Sequence, residues 1–99
     1  GCPFTNTAGF LGEKSDPRIR ELIIQHKEYQ RGFFVTLARD LTTPARVEKL
    51  GSGLFLLYAG ATMEGQNQRD TWPVDAARLA ARQLIRSLRR APRKEAARA

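Results

Sequence analysis

Apolar residues recur every three or four positions along most of the chain, which is the spacing of an α-helix rather than of a β-strand. No segment shows sustained alternation of apolar and polar residues, and no Asn-Gly or Asp-Gly pair marks a hairpin turn. A polar cap residue followed by proline marks helix starts at 15–17 and 42–44, and Trp72-Pro73 marks a third. We therefore predict an all-α domain of four antiparallel helices, at about 4–11, 17–40, 44–66 and 72–90.

The second predicted helix carries one apolar stripe. Its members fall within an arc of about 140°, which indicates an amphipathic helix with one face in the core. Gly32 lies beside two phenylalanines and costs the helix about 1 kcal/mol relative to alanine, so we predict that it permits a close crossing or a bend. The stripe consists of Ile19, Leu22, Ile23, His26, Tyr29, Phe33, Phe34, Leu37 and Leu41.

The third predicted helix is apolar on opposite sides. One stripe contains Val47, Leu50, Leu54, Tyr58 and Ala61, whereas Leu56, Ala59 and Met63 point nearly the other way. A helix of this kind must be covered on all sides. Because the chain offers few helices to cover it, we expect one side to meet the core and the other to meet a second copy of the chain.

Two glycines in this helix support the same interpretation. Gly53 and Gly60 are seven residues apart and therefore share one face, and each costs the helix up to about 1 kcal/mol. Close approach of another helix would offset that cost, and the alanines of the fourth helix offer a flat surface. We predict a two-fold, four-helix interface between chains; the alternative is that the glycines serve packing within one chain or a bound ligand. The predicted interface residues are Gly53, Leu56, Gly60, Met63, Ala77, Ala81, Leu84 and Leu88.

The positive charge is concentrated at the end of the chain. The chain has 17 Lys and Arg and 10 Asp and Glu; residues 1–77 hold nine of each sign, and the rest follow residue 77. We predict a helical domain over 1–91 and a basic, disordered tail over 92–99. The basic residues are either the solvated face of a helix or a phosphate-binding surface, and the second alternative describes a small nucleic-acid-binding protein. Its candidate residues are Arg78, Arg82, Arg86, Arg89, Arg90, Arg93 and Lys94.

The sequence contains no recognisable catalytic set. One histidine and one cysteine, 24 residues apart, do not form a zinc motif, and neither a nucleophile elbow nor a phosphate loop is present. We therefore predict a protein that is not an enzyme and binds no metal or cofactor. The lone cysteine favours a reducing compartment, the cytoplasm, and no apolar run is long enough to cross a membrane.

A small-ligand pocket is one of two interpretations of the polar residues on apolar faces. His26 lies in the stripe with Tyr29 and Phe33, and Asn6 lies between Phe4 and Phe10. These polar groups are either satisfied members of the core or the orienting groups of an apolar pocket. In the second case, Tyr58 and Thr62 of the third predicted helix complete the pocket.

The chain resembles the C-terminal regulatory domain of the TetR family of transcriptional repressors. The similarity covers Gly1 to about Leu88, through "GCPFTNTAGFLG", "DPRIRELIIQHKEYQRGFFVTLARDL", "LFLLYAGATMEGQNQRD" and "PVDAARLAARQLIRSL". Its most specific part is Gly1-Cys2 with Asn6 four residues on, although the acidic residue that many relatives place near the end of that segment is absent here.

The resemblance implies a bacterial, cytoplasmic homodimer whose last two helices form a four-helix bundle across the two-fold axis. It also implies a small apolar or aromatic effector, bound within the domain, that changes the spacing of two helix-turn-helix heads on operator DNA. No recognition helix is found in these 99 residues. The chain also begins at Gly1 without an initiator methionine or a signal peptide, so we expect it to be part of a longer repressor.

Overall fold

The computed structural model describes residues 16–89, which contain three α-helices and no β-strand. Helix α1 spans Pro17–Ala38, α2 spans Val47–Gln68 after a 3-10 turn at Pro44–Arg46, and α3 spans Trp72–Leu88. These correspond to the second, third and fourth predicted helices, so the all-α prediction is confirmed for this part of the chain. The first predicted helix, at 4–11, and the predicted tail, at 92–99, lie outside the described residues.

Helix α1 begins as the sequence predicts. The carboxylate of Asp16 accepts a hydrogen bond from the backbone N–H of Arg18 at 2.8 Å, and Pro17 occupies the first helical position. Both features satisfy or remove N–H groups that would otherwise have no partner at the helix start. The helix ends at Ala38, two residues before the predicted end, because the N–H groups of residues 39–41 turn to carbonyls three residues back.

The turn between α2 and α3 is built by a left-handed residue and an aspartate. Arg69, at φ 50°, takes the chain out of α2. The side chain of Asp70 then accepts hydrogen bonds from the N–H groups of Thr71 at 2.6 Å and Trp72 at 3.3 Å. These contacts reverse the chain within three residues, and α3 begins at Trp72 with Pro73 second, as predicted.

Helix α2 lies between the other two helices. It packs along α1 on one side and along α3 on another, whereas no comparable contact joins α1 to α3 within residues 16–89. Helices α2 and α3 run antiparallel, because Gly53 approaches Leu84 while Glu64 and Trp72 line the same groove at the opposite end. The described helices therefore form one layer, and much of their apolar surface stays exposed.

The buried apolar core of residues 16–89 is small. It comprises Ile23, Ala38, Leu50 and Phe55. The predicted stripe of α1 is divided: Ile23 is buried and Phe34 half-buried, whereas Tyr29 and Phe33 are 78% and 59% exposed. The sequence pattern correctly identified an apolar side of α1, but a single neighbouring helix covers only part of an arc of that width.

A polar contact joins α1 to α2 beside this core. The guanidinium of Arg31 donates to Glu28 Oε2 at 3.0 and 3.1 Å and to Ser52 Oγ at 3.1 Å, and it lies 3.7 Å from Glu48. The hydrogen bond with Glu28 raises the pKa of Arg31 above its ordinary value. Arg31 therefore remains charged at every pH at which the protein would be studied.

Thr42 fastens the end of α3 to the connection between α1 and α2. Its side chain is 1% exposed, its hydroxyl donates to the carbonyl of Leu88, and its backbone forms an isolated antiparallel bridge with Arg89. The predicted hydroxyl cap at 42–43 is therefore wrong, because Thr43 makes no side-chain cap for the 3-10 turn and Thr42 bonds across the fold.

Candidate functional site

An aromatic groove of about 190 Å³ lies between α1 and α2. The ring of Phe34 is central to it, with its centroid 5.3 Å from Tyr58, 5.7 Å from Phe33 and 6.3 Å from Phe55. Gln30 contributes an amide to the lining. A mostly apolar concavity with one polar group is the usual composition of a small-ligand site. The aromatic groove is lined by Tyr29, Gln30, Phe33, Phe34 and Tyr58.

The structure brings together three of the predicted pocket residues. Tyr29, Phe33 and Tyr58 line the aromatic groove, whereas His26 and Thr62 are half-buried outside its lining. The hydroxyl of Thr62 donates to the carbonyl of Tyr58 at 2.9 Å, so its proton is engaged within α2. The remaining predicted pocket residues, Phe4, Asn6 and Phe10, lie outside the described residues.

A second groove, of about 330 Å³, runs between the C-terminal half of α2 and the N-terminal half of α3. Gly60 and three alanines of α3 leave this space, because none of them carries a side chain beyond Cβ. Glu64 is the single charged residue of the lining, at the end beside Trp72. The α2–α3 groove is lined by Leu56, Leu57, Gly60, Ala61, Glu64, Trp72, Pro73, Ala76, Ala77 and Ala80.

The glycines of α2 have different surroundings. A Cβ at Gly51 would lie 2.5 Å from the Cα of Val35, so Gly51 permits the close approach of α1 and α2. A Cβ at Gly53 would lie 2.6 Å from Leu84 Cδ2, which gives that glycine a role within one chain. At Gly60, an added Cβ would meet no other atom of the described residues within 4 Å.

Gly32 is not the site of the predicted close crossing. A Cβ there would meet nothing within 4 Å among residues 16–89, and the residue is exposed, so the close crossing of α1 occurs at Gly51 instead. The alternative, a bend at Gly32, stays a prediction. Of the two alternatives for the glycines of α2, packing within the chain accounts for Gly53. At Gly60 in α2, as at Gly32 in α1, no packing contact within residues 16–89 offsets the cost of the glycine to its helix.

The predicted interface residues occupy one side of the α2–α3 pair, with different exposure. Leu56, Gly60 and Met63 are exposed, and Leu56 reaches 67%. The others, which are Gly53, Ala77, Ala81, Leu84 and Leu88, are half-buried. Their place at an interface between chains stays a prediction.

Sequence reasoning omitted several residues that line the two grooves. Phe34 was assigned to the stripe of α1 but not to the pocket, although its position next to Phe33 makes it the ring that can reach α2. Trp72 was used as a helix start, and its indole N–H donates to the Gln68 side chain at 3.0 Å, which fixes the ring beside the α2–α3 groove. The signal in the sequence that points to Trp72 is a large aromatic residue at a helix start, where it is open to solvent.

Residues 16–89 show neither a metal site nor a membrane span. No group of three or more metal-ligating side chains occurs among them, and no helix there is long and apolar enough to cross a bilayer. Comparisons with models of protein families, with curated proteins and with solved structures found no match to this chain.

Proposed function

We propose that the chain is a homodimerising, effector-sensing domain of a TetR-like transcriptional repressor, without enzymatic activity. Two copies join through α2 and α3 into a four-helix bundle, and a small apolar or aromatic effector binds beside it. Operator DNA is contacted through a helix-turn-helix head outside these 99 residues. The sequence resemblance supports the proposal, and the exposed α2–α3 groove carries it.

The α2–α3 groove supports dimerisation because it is apolar, open and uncovered. Leu56 at its edge is 67% exposed, and Met63 nearby is 40% exposed, on a helix that has apolar residues on every side. Burying such a residue stabilises an assembly by about 1.5 to 3 kcal/mol. A two-fold contact counts every gain twice, since the same residues are buried on both chains.

The dimer is tested by placing one carboxylate in the groove. Leu56→Glu changes an exposed residue, so the monomer should fold normally, whereas the dimer would have to bury two uncompensated charges. Ile24→Glu is the matched control, because Ile24 is 55% exposed on α1, away from this groove. Sedimentation velocity should show dimers for the wild type and for Ile24→Glu but monomers for Leu56→Glu. Dimers of unchanged affinity in Leu56→Glu would contradict the proposed interface.

The aromatic groove supports effector binding because its rings are held by packing while its mouth is open. Tyr29 and Phe33 are exposed at the edge, and Phe34 and Tyr58 form the wall. Aromatic ligands gain from edge and offset contacts with such rings beyond the area that they bury.

Binding is tested with anilinonaphthalene sulfonate, a fluorescent aromatic probe. Phe33→Ser should weaken probe binding without unfolding the protein, because the Phe33 ring is mostly exposed. Leu22→Ser, on the same helix and 57% exposed, is the control for a lost apolar surface outside the groove. Equal probe affinity in the Phe33→Ser variant and the wild type would remove the groove as an effector site.

A further inference from the structure

The flank of α3 that faces away from the α2–α3 groove carries a row of arginines. Arg78, Arg82 and Arg86 follow one another at intervals of four residues, and Arg89 continues the row at the helix end. All four are exposed. We call these four residues the arginine flank.

The fold uses the backbone of Arg89, in its bridge with Thr42, but not the charges of the arginine flank. None of its four guanidinium groups forms an ion pair within the described residues, whereas Arg18 and Arg31 on α1 are both paired with carboxylates. The one carboxylate of α3 is Asp75, in its first turn. Like charges four residues apart disfavour a helix, and no carboxylate within residues 16–89 pairs with the row to offset this repulsion.

We propose that the arginine flank binds the phosphate backbone of double-stranded DNA without reading its sequence. The row is about 16 Å long at 1.5 Å per residue, and it is rigid because it is part of a helix. Every cation in it is an arginine, whose planar guanidinium forms paired hydrogen bonds with phosphate oxygens. Release of counterions from the duplex supplies the affinity.

The geometry favours duplex DNA over two other polyanions, an anionic lipid surface and a single-stranded nucleic acid. Leu84, Ile85 and Leu88 of α3 are half-buried. The exposed large apolar residues of this helix, Trp72, Val74 and Leu79, do not form the continuous apolar face that insertion into a lipid surface requires. No aromatic side chain stands among the four arginines, whereas binding of single strands relies on rings that stack on bases. The straight row of arginines matches a phosphate backbone that presents its charges along one edge of a duplex.

The arginine flank and the α2–α3 groove can be occupied together. At 100° per residue, the mean direction of Arg78, Arg82 and Arg86 is roughly 150° from that of the groove residues of α3. A second copy seated in the groove therefore leaves the arginines in solvent. The inference consequently stands or fails independently of dimerisation and of the effector.

The test is the salt dependence of binding to a duplex of arbitrary sequence, measured by fluorescence anisotropy with the full chain. Four phosphate contacts give a slope of log K against log salt of about −3.6, which corresponds to a loss of affinity of about 150-fold between 50 and 200 mM salt. Arg82→Gln with Arg86→Gln should make the slope shallower by about 1.8. Because residues 90–99 are the same in both proteins, the difference isolates the two arginines.

Two controls complete the experiment. Arg18→Gln with Arg20→Gln removes the same charge from the start of α1 and should leave the slope unchanged. Arg82→Lys with Arg86→Lys keeps the charge and should keep the slope. An unchanged slope in the glutamine variant of the arginine flank, or an equal change in the α1 variant, would overturn the proposal. So would stronger binding to a single strand, or binding to phosphatidylserine vesicles in place of the duplex.

Discussion

The substitution Gly60→Leu should change the stability of the single chain and the affinity of the dimer in opposite directions. Gly60 lies inside a helix, and a Cβ added there would meet no other atom of residues 16–89 within 4 Å. Replacing glycine in a helix interior stabilises the helix by about 0.5 to 1 kcal/mol. The monomer should therefore become slightly more stable, as measured by urea unfolding followed by circular dichroism.

The same substitution should weaken the dimer. A leucine at Gly60 fills the floor of the α2–α3 groove, and overfilling a packed site costs about 1 to 3 kcal/mol. The two-fold axis places two such leucines in each dimer, so the cost is about 2 to 6 kcal/mol. The dissociation constant should rise by a factor between about 30 and more than 10⁴.

Sedimentation velocity over a roughly thousand-fold range of protein concentration measures this change. Gly32→Leu is the matched control, because Gly32 is an exposed helical glycine with equally empty surroundings on α1. The control should keep the wild-type dissociation constant. If Gly60→Leu also kept it while the monomer remained folded, the proposed interface would not include the groove, and the argument from its open glycine would fail.

Two further substitutions test the packing of the layer. Gly51→Ala should destabilise the protein by about 1 to 3 kcal/mol in urea unfolding, because the new Cβ would lie 2.5 Å from the backbone of Val35. Gly32→Ala is the control and should stabilise the protein by about 0.5 to 1 kcal/mol. Equal effects of the two substitutions would refute the close approach of α1 and α2. Thr42→Val should cost about 1 to 3 kcal/mol and increase amide exchange in the last turn of α3, because a buried carbonyl loses its donor. Thr43→Val, whose hydroxyl makes no cap bond, should have a smaller effect, and the reverse order would show that Thr42 does not hold α3.

The sequence predicts the helices well because their signals are local. A cap at Asp16 and prolines at helix starts act within one turn, so the starts of α1 and α3 agree with the prediction. The helix ends differ by about two residues, because each last turn depends on where its carbonyls find donors. The end of α3 at Leu88 is fixed by Thr42, which is 46 residues away and gives no local signal.

The candidate sites are only partly predictable because they depend on distances between helices. The pattern of α2 shows that it is apolar on opposite sides, and the structure indeed leaves Leu56 exposed. It does not show which glycine meets which neighbour. Gly51 against Val35 and Gly53 against Leu84 are products of the crossing geometry, which a helical period does not contain.

The contact of Thr42 with the end of α3 also sets the position of residue 89. Leu88 and Arg89 are held beside the connection that follows α1, which opposes fraying of the last turn of α3. A pulling force applied to the chain beyond residue 89 would act on this contact first. It would act on the packing of α2 against α3 only after the contact had broken. Anything attached at that end therefore keeps a defined position relative to the turn between α1 and α2.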